Sequence, residues 1–155
     1  MIQLSHVSKR YPGGYDALRE VSFNVAQGEM LFLTGHSGAG KSTLLRLLTL
    51  IESPTRGQIL VQKKNLERLP RRHVPYYRRE LGVVFQDNKL LVDRTVFDNV
   101  ALPLVASGVA PREIPKRVRA ALDLVGLLSK EKLLPAVMSG GEQQRVGIAR
   151  AVVNR

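Results

Sequence analysis

The chain has 155 residues, 44% of them hydrophobic and 24% charged, which is the size and composition of one ordinary globular domain. It has no cysteine, no apolar run long enough for a membrane span and no signal-peptide pattern, so disulfides, thiolate metal sites and a membrane-embedded reading are set aside. The formal charge is +11, and the three histidines (His6, His36, His73) are too scattered to suggest a zinc site.

Ile2 to Val7 alternates apolar and polar residues, as a half-buried strand does. Tyr11-Pro12-Gly13-Gly14 reads as a turn, and Ala17 to Val25 resumes the alternation, so the two segments are expected to pair antiparallel. Ala26-Gln27-Gly28-Glu29 turns the chain into Met30-Leu31-Phe32-Leu33-Thr34, an apolar run of the kind buried parallel strands use.

Residues 35 to 43 follow as Gly35-His36-Ser37-Gly38-Ala39-Gly40-Lys41-Ser42-Thr43, the pattern G-x-x-x-x-G-K-[ST] of a phosphate-binding loop. Glycines let the backbone turn tightly and approach an anion without a Cβ in the way. The exposed N–H groups form a concave nest for phosphate oxygens. In such a loop the lysine, here Lys41, reaches the β- and γ-oxygens and the hydroxyl of Ser42 faces Mg²⁺. The apolar residues from Leu44 onward predict a helix to about Ile51, its positive N-terminal end toward the phosphates, and Pro54 with Gly57 marks its end.

Gln58 to Val61 reads as a short strand, and residues 65 to 80 as helical pieces broken by Pro70 and Pro75. Between Arg56 and Glu80 eight basic residues stand against two acidic ones. Only Tyr76 and Tyr77 in this stretch offer aromatic rings for base stacking, which favours a solvated or membrane-facing surface over nucleic acid.

Leu81 to Phe85 is a second buried-type strand pattern, ending at Gln86-Asp87. Val96, Phe97, Val100, Ala101 and Leu104 have helical spacing. Pro111 is expected to open the next helix, which buries Val118, Ala121, Leu122 and Val125 and stops at Gly126. Ser139 with Glu142 three residues on is a capping box, followed by an apolar stripe of Val146, Ala149, Val152 and Val153. A cap alone does not call for Gly140 and Gly141 together in the first turn, where each costs conformational entropy. They make sense where a large anion comes close to those backbone N–H groups.

The loop at 35–43, the strand-terminal Gln86 and Ser139-Gly140-Gly141-Glu142-Gln143-Gln144-Arg145 together resemble the ordered motifs of ATP-binding-cassette (ABC) ATPases over essentially the whole chain. The text at 35–45, 84–91 and 93–100 is most similar to the cell-division branch of that family. Lipoprotein-release and macrolide-export ATPases share the signature but usually differ around residues 86 to 100.

The resemblance implies an α/β fold: a P-loop NTPase core with an N-terminal antiparallel β subdomain within 1–87 and a helical signature subdomain over 88–155. It implies ATP and Mg²⁺ as cofactors. Tyr11 would stack on adenine, Gly35 to Thr43 would wrap the triphosphate, and Lys41 and Gln86 would be catalytic. Ser42 and Gln86 would ligate Mg²⁺. Ser139, Gly140, Gly141 and Glu142 would meet the nucleotide of a second copy in a head-to-tail homodimer. Residues 86–99 would face an integral membrane partner, with the chain cytoplasmic and peripheral on the inner face of the plasma membrane.

The family pattern continues with an apolar strand ending in Asp-Glu (Walker B and the catalytic glutamate) and with a switch histidine. None of these is found after the P-loop, and the sequence reaches Arg155 just past the signature helix. The expectation is a nucleotide-binding domain truncated before the Walker B strand, which binds ATP weakly without turning it over. A non-hydrolysing nucleotide-binding fragment is the corresponding alternative function.

Overall fold

The computed structural model describes residues 1–154. Contacts divide the chain into two compact units, Met1–Arg78 and Arg79–Arg155.

The first unit is built on an antiparallel sheet in the order β2-β1-β3-β4. Strands β1 (Ile2–Arg10) and β2 (Asp16–Val25) form the expected hairpin, with Leu4 opposite Phe23. Strand β3 (Arg56–Val61) pairs with the other edge of β1, Leu4 opposite Ile59, and the two-residue β4 (Lys64–Asn65) folds back on β3. Gly57 is required where β3 crosses β1: a Cβ there would lie 2.3 Å from the His6 carbonyl oxygen. Leu4, Val7, Leu18, Ile59 and Val61 are buried. Helix α1 (Lys41–Leu48) adds Leu44 and Leu47 to the buried set and touches β2.

Helix α1 ends at Leu48, short of the expected Ile51, because Leu50 turns left-handed at φ 55° and the Ile51 N–H bonds back to Arg46 O at 2.9 Å. Tyr77 donates its hydroxyl to Leu48 O at 2.6 Å, and Arg78 donates to Thr49 O at 3.0 Å and Leu50 O at 2.7 Å. Both donors lie on α2 (Val74–Arg79), which follows a 3₁₀ turn at Arg71–His73. Pro75 does not break α2. It sits in the first turn, where its missing N–H has no intrahelical partner to lose.

Two strand expectations fail. Met30 to Thr34 is irregular and exposed, with Met30 79% and Phe32 80% accessible. Leu81 to Phe85 is likewise irregular. An extended apolar segment becomes a strand only when a neighbour satisfies its N–H and C=O groups. Among the described residues neither segment has such a neighbour in the sheet. The apolar pattern is legible in both, and its pairing is not present.

The second unit packs α3 (Val96–Ala106), α4 (Ile114–Leu124) and α5 (Gly140–Val152) around Val100, Leu104, Val118, Leu122 and Val146. Thr95 and Asp98 form a capping box that starts α3. Helix α4 begins at Ile114 rather than at Pro111, with Pro115 in its first turn. Gly126, at φ 69°, takes the left-handed conformation that ends the segment. On α5, Val146, Ala149 and Val153 are buried as expected, but Val152 is 37% exposed. No described helix is long and apolar enough to cross a membrane.

Candidate nucleotide-binding site

The loop between Thr34 and α1 is shaped by three glycines at positive φ: Gly35 (149°), Gly38 (82°) and Gly40 (89°). Gly40 is the N-cap of α1, and a Cβ on it would strike the Ala17 carbonyl oxygen at 2.3 Å. The glycine therefore lets the loop lie directly on β2 and aims the start of α1. Lys41 folds back across the loop and donates to the carbonyls of Gly35 at 2.6 Å and His36 at 2.7 Å. Its ammonium thus sits inside the arc of the loop. His36 Nδ1 bonds the Ser37 carbonyl at 2.7 Å, and Ala39 N–H donates to His36 O at 3.2 Å. Ser42 is exposed in the first turn of α1, whereas Thr43 is buried.

Two tyrosines from the β1–β2 turn reach this loop. Tyr15 donates its hydroxyl to Gly38 O at 3.0 Å, and the Tyr11 hydroxyl lies 3.4 Å from Thr43 Oγ1. The Lys9 ammonium stands 5.2 Å from the Tyr11 ring centre, a cation–π contact on one face. Lys9 also pairs with Glu52 at 3.4 Å, as does Arg46 at 3.3 Å. Burial pushes the Glu52 carboxyl up, but hydrogen bonds from Tyr11, Arg46 and Lys9 outweigh it and hold the group below its ordinary range.

In the second unit, Ser139 caps α5 as the sequence predicts. Its hydroxyl accepts from Glu142 N–H at 3.4 Å, and Glu142 Oε2 accepts from Ser139 N–H and Oγ–H, each at 2.9 Å. Glu142 also pairs with Lys130, and the two sets of bonds hold its pKa down to about 2. A Cβ on Gly140 or Gly141 would meet nothing within 4 Å. Among the described residues nothing requires glycine at either position, and both glycines are exposed at this helix start.

Gln86 is exposed on a turn closed by Asn88 N–H donating to Phe85 O at 3.1 Å. Asn99, fully buried, accepts from Leu91 N–H at 2.8 Å and donates to the carbonyls of Leu91, Arg94 and Thr95. It fixes the loop that leads from Gln86 to α3. Sequence reasoning missed Tyr15, Asn99 and Lys130: each acts through a backbone group or a residue far along the chain, and no local pattern marks it.

The pattern that defines the ABC transporter family matches residues 18–155. The chain belongs to that family. The cell-division ATP-binding protein FtsE of Escherichia coli (strain K12) is 58% identical over 155 residues, covering 100% of this chain and 70% of the relative. FtsE of Bacillus subtilis (strain 168) is 48% identical over 154 residues, 99% of this chain and 68% of the relative. The ATP-binding cassette MJ0796, solved as a dimer in a post-hydrolysis state bound to ADP and Pi, superposes with a TM-score of 0.92 at 34% identity, over 99% of this chain and 70% of that one. The ABC-cassette fold expected from the motifs is therefore the fold of this chain, and the chain is an ABC ATP-binding subunit.

The residues present fit a magnesium-bound triphosphate. The loop supplies a cation within its arc, unhindered N–H groups at Gly38, where a Cβ would meet nothing within 4 Å, and an exposed hydroxyl at Ser42.

Proposed function

We propose that this protein is the ATP-binding subunit of a membrane-associated ABC complex of bacterial cell division, acting with an FtsX-like integral membrane partner. The observation that carries this reading is the 58% identity to FtsE along the whole chain. In it, ATP binding and hydrolysis change the conformation of the membrane partner. Gly35 to Thr43 wrap the triphosphate, and Lys41 neutralises its terminal oxygens. Ser42 and Gln86 would hold Mg²⁺, which when bound would supply positive charge to the phosphoryl oxygens. Tyr11 stacks on the adenine, with Lys9 on one ring face.

Ser139, Gly140, Gly141 and Glu142 meet the nucleotide held by a second copy. The exposed, unhindered start of α5 supports this role, as does the dimeric state of the MJ0796 cassette. The chain then works from the inner face of the plasma membrane, and its exposed basic stretch from Arg56 onward suits an anionic surface.

Co-expression with an FtsX-like protein tests the reading. The chain is expected in the membrane fraction only when that partner is present. Equal membrane recovery with and without it would contradict the proposal.

A further inference from the structure

Arg150 lies near the end of α5, far along the sequence from the Gln86 turn, yet its guanidinium holds that turn. It donates to the carbonyls of Asn88 at 2.5 Å and Lys89 at 2.8 Å. Asn88 (φ 56°) and Lys89 (φ 45°) are both left-handed, a conformation that side-chain-bearing residues seldom hold without outside support. Two consecutive left-handed residues reverse the chain just after Gln86. A planar fork that bonds both of their carbonyls fixes that reversal in a way a single donor does not.

The rest of α5 makes the same contact surface. A Cβ on Gly82 would lie 2.1 Å from the Ala151 carbonyl oxygen, so the chain entering the Gln86 turn runs directly against the helix. A Cβ on Gly147 would touch Val84 at 3.9 Å and Asn88 Oδ1 at 4.0 Å. Asp87 and Lys89 pair at 2.5 Å, and Lys89 N–H donates to Asp87 O at 2.6 Å. The Gln86 turn is thus clamped from behind by the helix whose other end carries Ser139, Gly140 and Gly141.

We propose that Arg150 is a positioning residue for Gln86, locking the Asn88–Lys89 reversal to α5 so that the Gln86 turn and the Ser139 end of the helix move as one piece. The role for turnover rests on the reading of Gln86 as a magnesium ligand; the anchoring itself does not.

Hydrogen exchange in the full-length protein tests the anchoring. Arg150→Ala is expected to speed exchange at the Asn88 and Lys89 amides by roughly tenfold or more, leave Val146 to Ala149 protected, and be partly rescued by Arg150→Lys. Unchanged exchange at Asn88 and Lys89, or loss of protection throughout α5, would overturn it. A double-mutant cycle on ATP turnover, measured in the full-length protein assembled with its membrane partner, tests the link to Gln86. Arg150→Ala and Gln86→Ala are each expected to lower kcat about tenfold with the KM for ATP changed less than about twofold, and the double variant to be no slower than the slower single variant. Effects that multiply would overturn the link. If Gln86→Ala leaves turnover unchanged while the exchange result holds, the magnesium-ligand reading fails and the anchoring by Arg150 is upheld.

Discussion

Lys130 and Glu142 form an ion pair that ties the 3₁₀ turn Leu128–Lys130 to the first turn of α5. The Glu142 carboxylate bridges two jobs, since its second oxygen accepts both the N–H and the hydroxyl of Ser139. The pair and the cap therefore fix the same helix start, and loss of either loosens the other.

The pH dependence follows from the sign of the shift. Glu142 titrates near 2 in the folded chain against an ordinary value of 4.5, chiefly because of Lys130 and then Ser139. Its contribution is present above about pH 4.5 and is lost as pH falls toward about 2. Urea midpoints for Glu142→Gln are expected to fall below wild type near about pH 7 and to converge with it near about pH 2. A gap that stays constant across that range would contradict the pairing.

The glycines of the two candidate phosphate sites are expected to behave oppositely. Gly40→Ala places a Cβ at φ 89° against the Ala17 carbonyl and is expected to cost at least about 2 kcal/mol, read as a lowered denaturation midpoint. Gly141→Ala meets open space within a helix and is expected to stabilise the chain by about 0.5–1 kcal/mol. If α5 starts at the nucleotide of a second copy, as proposed, the same Gly141→Ala variant is expected to weaken ATP-driven self-association in analytical ultracentrifugation; unchanged self-association would contradict that role.

Asn99→Ala removes the acceptor of the Leu91 N–H and the side-chain donor to the carbonyls of Leu91, Arg94 and Thr95; the Leu91 and Thr95 carbonyls keep a backbone donor, from Arg94 and residue 99 respectively. The expected cost is about 1–2 kcal/mol, from the lost hydrogen bonds of a fully buried amide that holds a partly exposed loop. Proteolysis at residues 91–95 is expected to speed while the β1–β2 hairpin keeps its protection. Equal acceleration in both places would show that Asn99 acts on the whole fold and not on that loop.

Much of this was legible in the residues, and the failures have a common cause. The capping box at Ser139 and Glu142, the turn at Gly126 and the Gly35–Thr43 loop are local: a few neighbouring residues fix their own geometry. The β1–β2 hairpin is nearly local, and it too was readable. Met30 to Thr34 and Leu81 to Phe85 carry a correct apolar pattern, but strand formation needs a partner that the pattern does not supply. Lys130, Arg150 and Tyr15 were invisible because each bonds a group distant in sequence, often a carbonyl that every residue possesses.

The exposed Met30 and Phe32 have a practical consequence. At 79% and 80% accessible, they form a continuous apolar segment with Leu31 and Leu33. Such a surface promotes association of copies. Phe32→Asp is expected to raise the concentration at which the chain stays monomeric in light scattering, with little change in its melting curve. An unchanged threshold would place the sticky surface elsewhere.

Equilibrium binding of ATP with Mg²⁺, measured by titration calorimetry on wild type and Lys41→Ala, bears most directly on the account as a whole. Lys41 lies within the loop arc, so its removal is expected to weaken binding by roughly tenfold to a hundredfold, as loss of a charged hydrogen-bonding group does, with no loss of thermal stability beyond about 1 kcal/mol. Equal affinity in the two proteins, or no binding by either, would contradict the assignment of residues 35–43 as the nucleotide site.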